Sequence, residues 1–128
     1  METTFNIESL DFTFLDDGRS IRINTEYYFL LDGKQMCIPA GWVSDGASIP
    51  RFLWCSLGSP FVGKHRAGCI LHDFLYWSNY QDRKFSDVCM YDMMRADGTA
   101  WVRASLIYRG VRMGGWVAWN NHKKRKDK

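Results

Sequence analysis

Near Pro50 the spacing of apolar residues changes from every second position to roughly every 3.6, which limits the chain to folds with sheet first and helices after. Upstream, FTFL (12–15) and SIRIN (20–24) flank the turn sequence DDGR (16–19), while EYYFLL (26–31) and MCIP (36–39) flank DGKQ (32–35). An Asp-Gly pair between alternating apolar residues is a strong hairpin signal, because glycine takes the positive φ of a tight turn without steric cost. These segments predict an antiparallel meander. Downstream, Ser48 and Pro50 suit the start of a short helix near 50–56, GSPFVG (58–63) reads as a loop, and a helix is expected over about 64–79. YQDR (80–83) leads to a further helix over about 85–95, with Arg83 or Ser86 as an early, solvated residue. ADG (96–98) ends it, Gly98 suiting the left-handed position after a helix, and a last amphipathic helix runs over about 99–116. The expected fold class is therefore α+β: an N-terminal antiparallel β meander followed by three to four helices. It forms a single domain over residues 1–121, with a basic, disordered tail at 122–128.

Composition excludes several function classes. At 128 residues and 46% hydrophobic the chain can bury one core, and disorder is not expected. No apolar stretch approaches the roughly 20 residues of a membrane-spanning helix. METTFNIESLDF has neither the basic nor the apolar part of a secretory signal, so the expected location is a host cytoplasm or a virion. Cys37, Cys55, Cys69 and Cys89 show no paired metal spacing and are expected as free, packed thiols. The net charge of +3 is concentrated in HKKRKDK (122–128), whose five basic residues face one acid. Such a run can attract nucleic acid or an anionic surface, but is more often a solvated end.

Chemistry is concentrated in GCILHDFLYWSNY (68–80). His72 and Tyr76, four apart, share a helix face, Asp73 is rotated by roughly 100° from His72, and Leu71, Phe74 and Leu75 point toward a core. On the next helix Asp87 and Tyr91 repeat the spacing of four, and two antiparallel helices joined by a short loop would let Asp87 approach His72. A carboxylate beside an imidazole fixes its tautomer and raises its basicity, as a general base requires. Upstream, GWVSDGASIP (41–50) places Asp45 in a turn with Gly46, where the small Ala47 and Ser48 permit close backbone approach. Carbonyl oxygens beside a carboxylate form a half-site for a hard cation, with Asp73 available as the other half. Taken singly these signals are weak, since a lone helical histidine is more often structural and an Asp-Gly turn is usually only a turn.

Together they resemble known families. AGWVSDGASIPR (40–51), HDFLY (72–76) and SDVCMYDMM (86–94) are similar over about residues 36–115 to the DUF1353 family of small proteins common in phages and prophages. More distantly, over about residues 42–94, W-x-S-D-G-x-S-x-P, C-x-x-H-D-F-x-Y-x-x-N-Y and D-x-x-x-x-D resemble the prokaryotic branch of the secreted phospholipase A2 superfamily. That second resemblance implies a phospholipase A2-like helix pair and roles for single residues. His72 would be the general base that deprotonates a water, Asp87 the carboxylate that orients it, and Tyr76 a brace for Asp87. Asp45 and Asp73 would bind Ca²⁺, which would stabilise the developing oxyanion. The chain departs from the pattern at Ala47, where those enzymes have a cysteine that pairs with the counterpart of Cys69, and in its sheet-forming first third.

Three functions are weighed. One is a phage-encoded, calcium-dependent ester hydrolase acting on phospholipid or a related ester. The alternative is a non-enzymatic phage protein, a virion component or a host-takeover or anti-defence factor with phage or host protein partners, that keeps the His-Asp network for structure. Nucleic-acid binding through the tail and the aromatic residues is the third and is not expected, because Trp101, Tyr108, Trp116 and Trp119 recur at helical spacing and are read as packing residues. Trp116, Trp119 and the tail also suit a lipid surface.

Overall fold

The computed structural model describes residues 3–5, 9–17, 19–31, 33–46, 48–50, 53 and 65–126. The short helix expected near 50–56, apart from Pro50 and Leu53, the loop at 58–63, Ala47, Cys55 and Lys64 lie outside the described residues. The fold is α+β, an antiparallel sheet region followed by four helices among the described residues, and it comprises two compact units, Met1–Asp45 and Gly46–Lys128.

In the first unit the strands are β1 (Thr3–Thr4), β2 (Phe12–Phe14), β3 (Ile21–Ile23), β4 (Tyr27–Leu31), β5 (Lys34–Ile38) and β6 (Val43–Ser44). Both expected hairpins form: Phe12 lies opposite Ile23, and Tyr27 opposite Ile38. In the second, Leu31 pairs with Lys34, so only two residues make the turn, and Gly33 supplies its positive φ of 78°. In the first, Asp17 accepts from the backbone N–H groups of Arg19 and Ser20. The Ser20 hydroxyl, followed by those N–H groups, draws the Asp17 carboxyl down to about 2. Alternation then sets the buried face: Ile21, Ile23, Tyr27, Phe29 and Leu31 point inward while Arg22, Tyr28 and Leu30 point out.

The hairpins do not continue into one meander. β1, β4 and β5 form one three-stranded sheet, and β2, β3 and β6 another. The connection between β3 and β4, Asn24 to Glu26, lacks a turn dipeptide, and Asn24 is tied instead to β2 through its backbone N–H on the Asp11 carbonyl and its side-chain amide on Asp11 and Thr13.

The second unit is built on α1 (Arg66–Ser78), α2 (Arg83–Ala96), α3 (Trp101–Gly114) and α4 (Trp116–Lys126). Ten successive residues of α1, Ala67 to Tyr76, are buried, so α1 is enclosed on every side rather than laid on a surface. Asn79, at φ 51°, ends it in the left-handed conformation. The Asp82 carboxylate then caps α2 by accepting from Phe85 N–H at 2.7 Å. Gly68 lets the pair approach closely, since a Cβ there would lie 2.9 Å from Met94 Cγ and 3.0 Å from the Met90 carbonyl. Ile49, Leu53, Cys69, Met90, Met94, Ala104, Ile107 and Val111 form the core. Gly98, at φ 92°, follows α2 as expected.

Five expectations change. Ser86 is fully buried rather than solvated, because α2 begins two residues earlier than expected and turns that side of its first coil inward. His65, which its place near a helix start would leave solvated, is also buried, standing at the start of the enclosed α1. The long last helix breaks at Gly114-Gly115, where two residues of low helix propensity meet, and resumes as α4. Helix then continues through Lys126 where a disordered tail was expected at 122, since residues 116–126 contain no glycine or proline and end in good helix formers. Finally, Ile107 and Val111 pack inward, but Trp101 and Trp116, read from sequence as packing residues, are 62% and 55% exposed, in company with Val102, Leu106, Met113 and Val117. Among the described residues no helix is long and apolar enough to cross a membrane.

Candidate functional site

The four-residue connection between α1 and α2 folds the helices against each other and brings His72 to Asp87, with Nε2 and Oδ1 2.6 Å apart and both side chains without exposed surface. One turn along α1, the Tyr76 hydroxyl donates to the same Oδ1 at 2.6 Å, and its ring lies 4.1 Å from the imidazole. From α3, Arg112 donates to Asp87 Oδ2 at 2.8 Å. Arg83, a turn before Asp87, stands 3.7 Å from Oδ2 and donates to the Val111 and Arg112 carbonyls, which fixes the end of α3 against the site. Trp119 packs edge-on against Tyr76, and the Trp119 carbonyl accepts from Asn79 Nδ2. Gly115 makes room for this arrangement, as a Cβ there would come 2.6 Å from the Tyr76 hydroxyl.

On the opposite side of the imidazole, His72 Nδ1 and Ser48 Oγ are 2.9 Å apart. Ser48 is in turn held by its backbone N–H, which donates to Asp73 Oδ1 at 3.1 Å. The result is a continuous line, Ser48 to His72 to Asp87, closed at its far end by Tyr76 and Arg112.

Electrostatics fix the proton positions. Burial alone would raise the Asp87 carboxyl, but hydrogen bonding and charge from His72, then Tyr76 and Arg112, hold it below its ordinary value of 3.8. Burial, with the Asp87 charge added, pushes the Tyr76 phenol up, so it stays a donor. Asp87 is thus a carboxylate, able only to accept, and the proton between it and His72 belongs to Nε2. In the neutral ring Nδ1 then presents its lone pair to Ser48. Burial likewise pushes the Cys69 thiol up, with Asp73 adding to the effect, which makes Cys69 an inert packed thiol.

The depressed Asp87 carboxyl has a consequence for stability. A group with its folded pKa below its unfolded one stabilises the fold above the unfolded value and loses that contribution as pH falls through the folded value. Urea midpoints are therefore expected to decline below about pH 4, and Asp87→Asn is expected to flatten that decline. A decline of equal steepness in the variant would show that other carboxylates govern acid unfolding.

Of the residues singled out from sequence, His72, Asp87 and Tyr76 are brought together, and Asp73 joins them through Ser48. Asp45 is exposed and belongs to the first unit. A calcium ion takes six to eight oxygens. One Asp73 oxygen is engaged by Ser48, and among the described residues no group of three or more His, Cys, Asp or Glu side chains could hold a metal. These donors do not by themselves make a calcium site. Sequence reasoning missed the functional contacts of Ser48, Arg83 and Arg112. Ser48 was visible as part of DGAS, but only as a small turn residue. Arg112 lies 25 positions from Asp87, beyond any local pattern. A cavity of about 320 Å³ is lined by Val88, Tyr91, Ser105, Tyr108 and Arg109, none of which is a member of the His72 network.

A family model described as "Protein of unknown function (DUF1353)" matches residues 21–111, which include every strand from β3 onward and Ser48, His72, Tyr76 and Asp87, but not Arg112. A curated relative, the uncharacterized protein y4jT of Sinorhizobium fredii (strain NBRC 101917 / NGR234), is 30% identical over 80 residues, which is 62% of this chain. The chain spans about a quarter of that relative's length, the match covering 24% of it. No solved structure matches.

Proposed function

We propose that this chain, which belongs to the DUF1353 family, is an ester hydrolase of the phospholipase A2-like kind with His72 as its general base. The observation that carries the reading is the 2.6 Å contact between His72 Nε2 and the ionised Asp87, which makes Nδ1, 2.9 Å from Ser48 Oγ, the nitrogen that would take a proton. Asp87 orients the ring and stabilises the imidazolium formed when it does so, while Tyr76 and Arg112 keep Asp87 in place. Lipid esters are the proposed substrate class. Trp101, Val102, Leu106, Met113 and Trp116 are exposed, and residues 99–126 carry seven basic side chains and no acid. An apolar and basic helical surface of that kind suits an anionic lipid interface.

Calcium enters the proposal as a requirement to be tested, with Asp73 the side chain beside the His72 network that would supply a carboxylate oxygen. When bound, the ion would polarise the ester carbonyl. A second reading is favoured by the complete burial of Ser48, His72 and Asp87. On it the network is a structural device in a non-enzymatic phage protein, either a virion component or a host-directed factor.

The test is release of fatty acid from vesicles of mixed zwitterionic and anionic phospholipid, with short-chain aryl esters in parallel, each in calcium and in chelator. Hydrolysis in either series supports the hydrolase, and loss of it in chelator supports the metal requirement. No hydrolysis in any sample, with the fold intact, favours the structural reading.

A further inference from the structure

The oxygen that faces the base is Ser48 Oγ, and we propose that Ser48 is a covalent nucleophile, so that hydrolysis proceeds through an acyl-Ser48 intermediate. This rests on the hydrolase reading above and changes its chemistry. A histidine that activates water directly must leave its basic nitrogen open to that water. Here Nδ1 lies 2.9 Å from the Ser48 hydroxyl.

The direction of that hydrogen bond follows from the other end of the network. Asp87 is ionised and accepts from Tyr76, Arg112 and His72, so His72 carries its proton on Nε2. In the neutral ring Nδ1 then accepts, and Ser48 O–H is the donor. A hydroxyl on an imidazole whose other nitrogen is held by a buried carboxylate is the arrangement of an activated nucleophile. The two ring nitrogens exchange the parts they play in the familiar serine-protease triad, a change that proton transfer through imidazole tolerates. Asp73 holds the Ser48 backbone N–H, and so sets where Oγ lies relative to Nδ1.

The steps balance with water as the only co-reactant. Ser48 Oγ bonds to the ester carbonyl carbon as its proton passes to Nδ1. The ester C–O bond breaks, and the departing alcohol oxygen takes that proton. Water then adds to the acyl carbon, giving a proton to Nδ1, and the Oγ–C bond breaks as Oγ recovers the proton and the acid leaves.

Ser48 and His72 have no exposed surface, so the experiment uses a small reagent, diisopropyl fluorophosphate, which reports both activation of Oγ and access to it. The full chain is treated with it, and the adduct is located by peptide mapping. The expected result is one adduct on Ser48, at least tenfold less of it in His72→Gln, and none in Ser48→Ala. Ester hydrolysis should fall at least 100-fold in Ser48→Ala. Labelling of the unmodified sequence does not depend on any variant folding. If esters are hydrolysed while Ser48 stays unlabelled and Ser48→Ala retains turnover within threefold, the nucleophile is overturned and a water mechanism at His72 stands. If nothing is hydrolysed and Ser48 is unlabelled, both readings fall. Labelling of Ser48 without hydrolysis of the lipid or aryl esters supports the nucleophile and overturns only the substrate class.

Discussion

Asp87→Ala is expected to cost the fold about 2–6 kcal/mol, the sum for the two buried donors it leaves without a partner. The loss is large because Asp87 serves three donors at once. Without it, His72 Nε2–H and the Tyr76 hydroxyl are left unpaired where water does not reach, at roughly 1–3 kcal/mol for each buried unsatisfied group. Arg112 contributes less, since its side chain is 33% exposed and can turn to solvent. Urea unfolding of the two proteins at neutral pH measures the difference. A change under about 1 kcal/mol would mean that water enters and replaces the carboxylate, and that the network is less dry than the fold indicates.

His72→Gln is expected to lower ester hydrolysis by about 10²–10⁴, the usual contribution of a positioned general base. Glutamine keeps a side-chain N–H that can reach Asp87, so the stability cost should stay well below that of Asp87→Ala. This separation matters because both residues belong to one network. A fall in turnover that merely tracked the fall in folded protein would assign His72 to structure. Rates measured at a temperature where both proteins are fully folded, with the unfolding midpoint of each determined beside them, separate the two.

Much of this was legible in the sequence because it is local. The Asp-Gly turns, the alternation in 20–31 and Gly98 after α2 each act within a few residues, and each predicted its element. The spacing of four between His72 and Tyr76, with a short loop before the next helix, was enough to show that Asp87 could approach His72. What could not be read was long-range or competitive. The hairpins separate into two sheets, with Asn24 bound back to Asp11 and Thr13, although the same sequence is compatible with a meander. The burial of Ser86 depends on Asp82, not a later residue, capping α2. Ser48 and Arg112 approach the site from 24 and 25 positions away in sequence, so no periodicity places them there. The exposure of Trp101 and Trp116 shows the limit of amphipathicity arguments, since a helix with apolar residues on more than one side can bury only the side that meets a neighbour.

Everything claimed for His72 depends on one proton, the one on Nε2. Long-range ¹H–¹⁵N correlation spectra of the ¹⁵N-labelled chain, with His72 assigned by its absence in His72→Gln, report that position directly. The expected result at neutral pH is a protonated Nε2 bonded to Asp87 and an unprotonated Nδ1 facing Ser48. A proton on Nδ1, alone or on both nitrogens, would contradict the account, because the ring would then have no lone pair to offer Ser48 and no means of acting as its base.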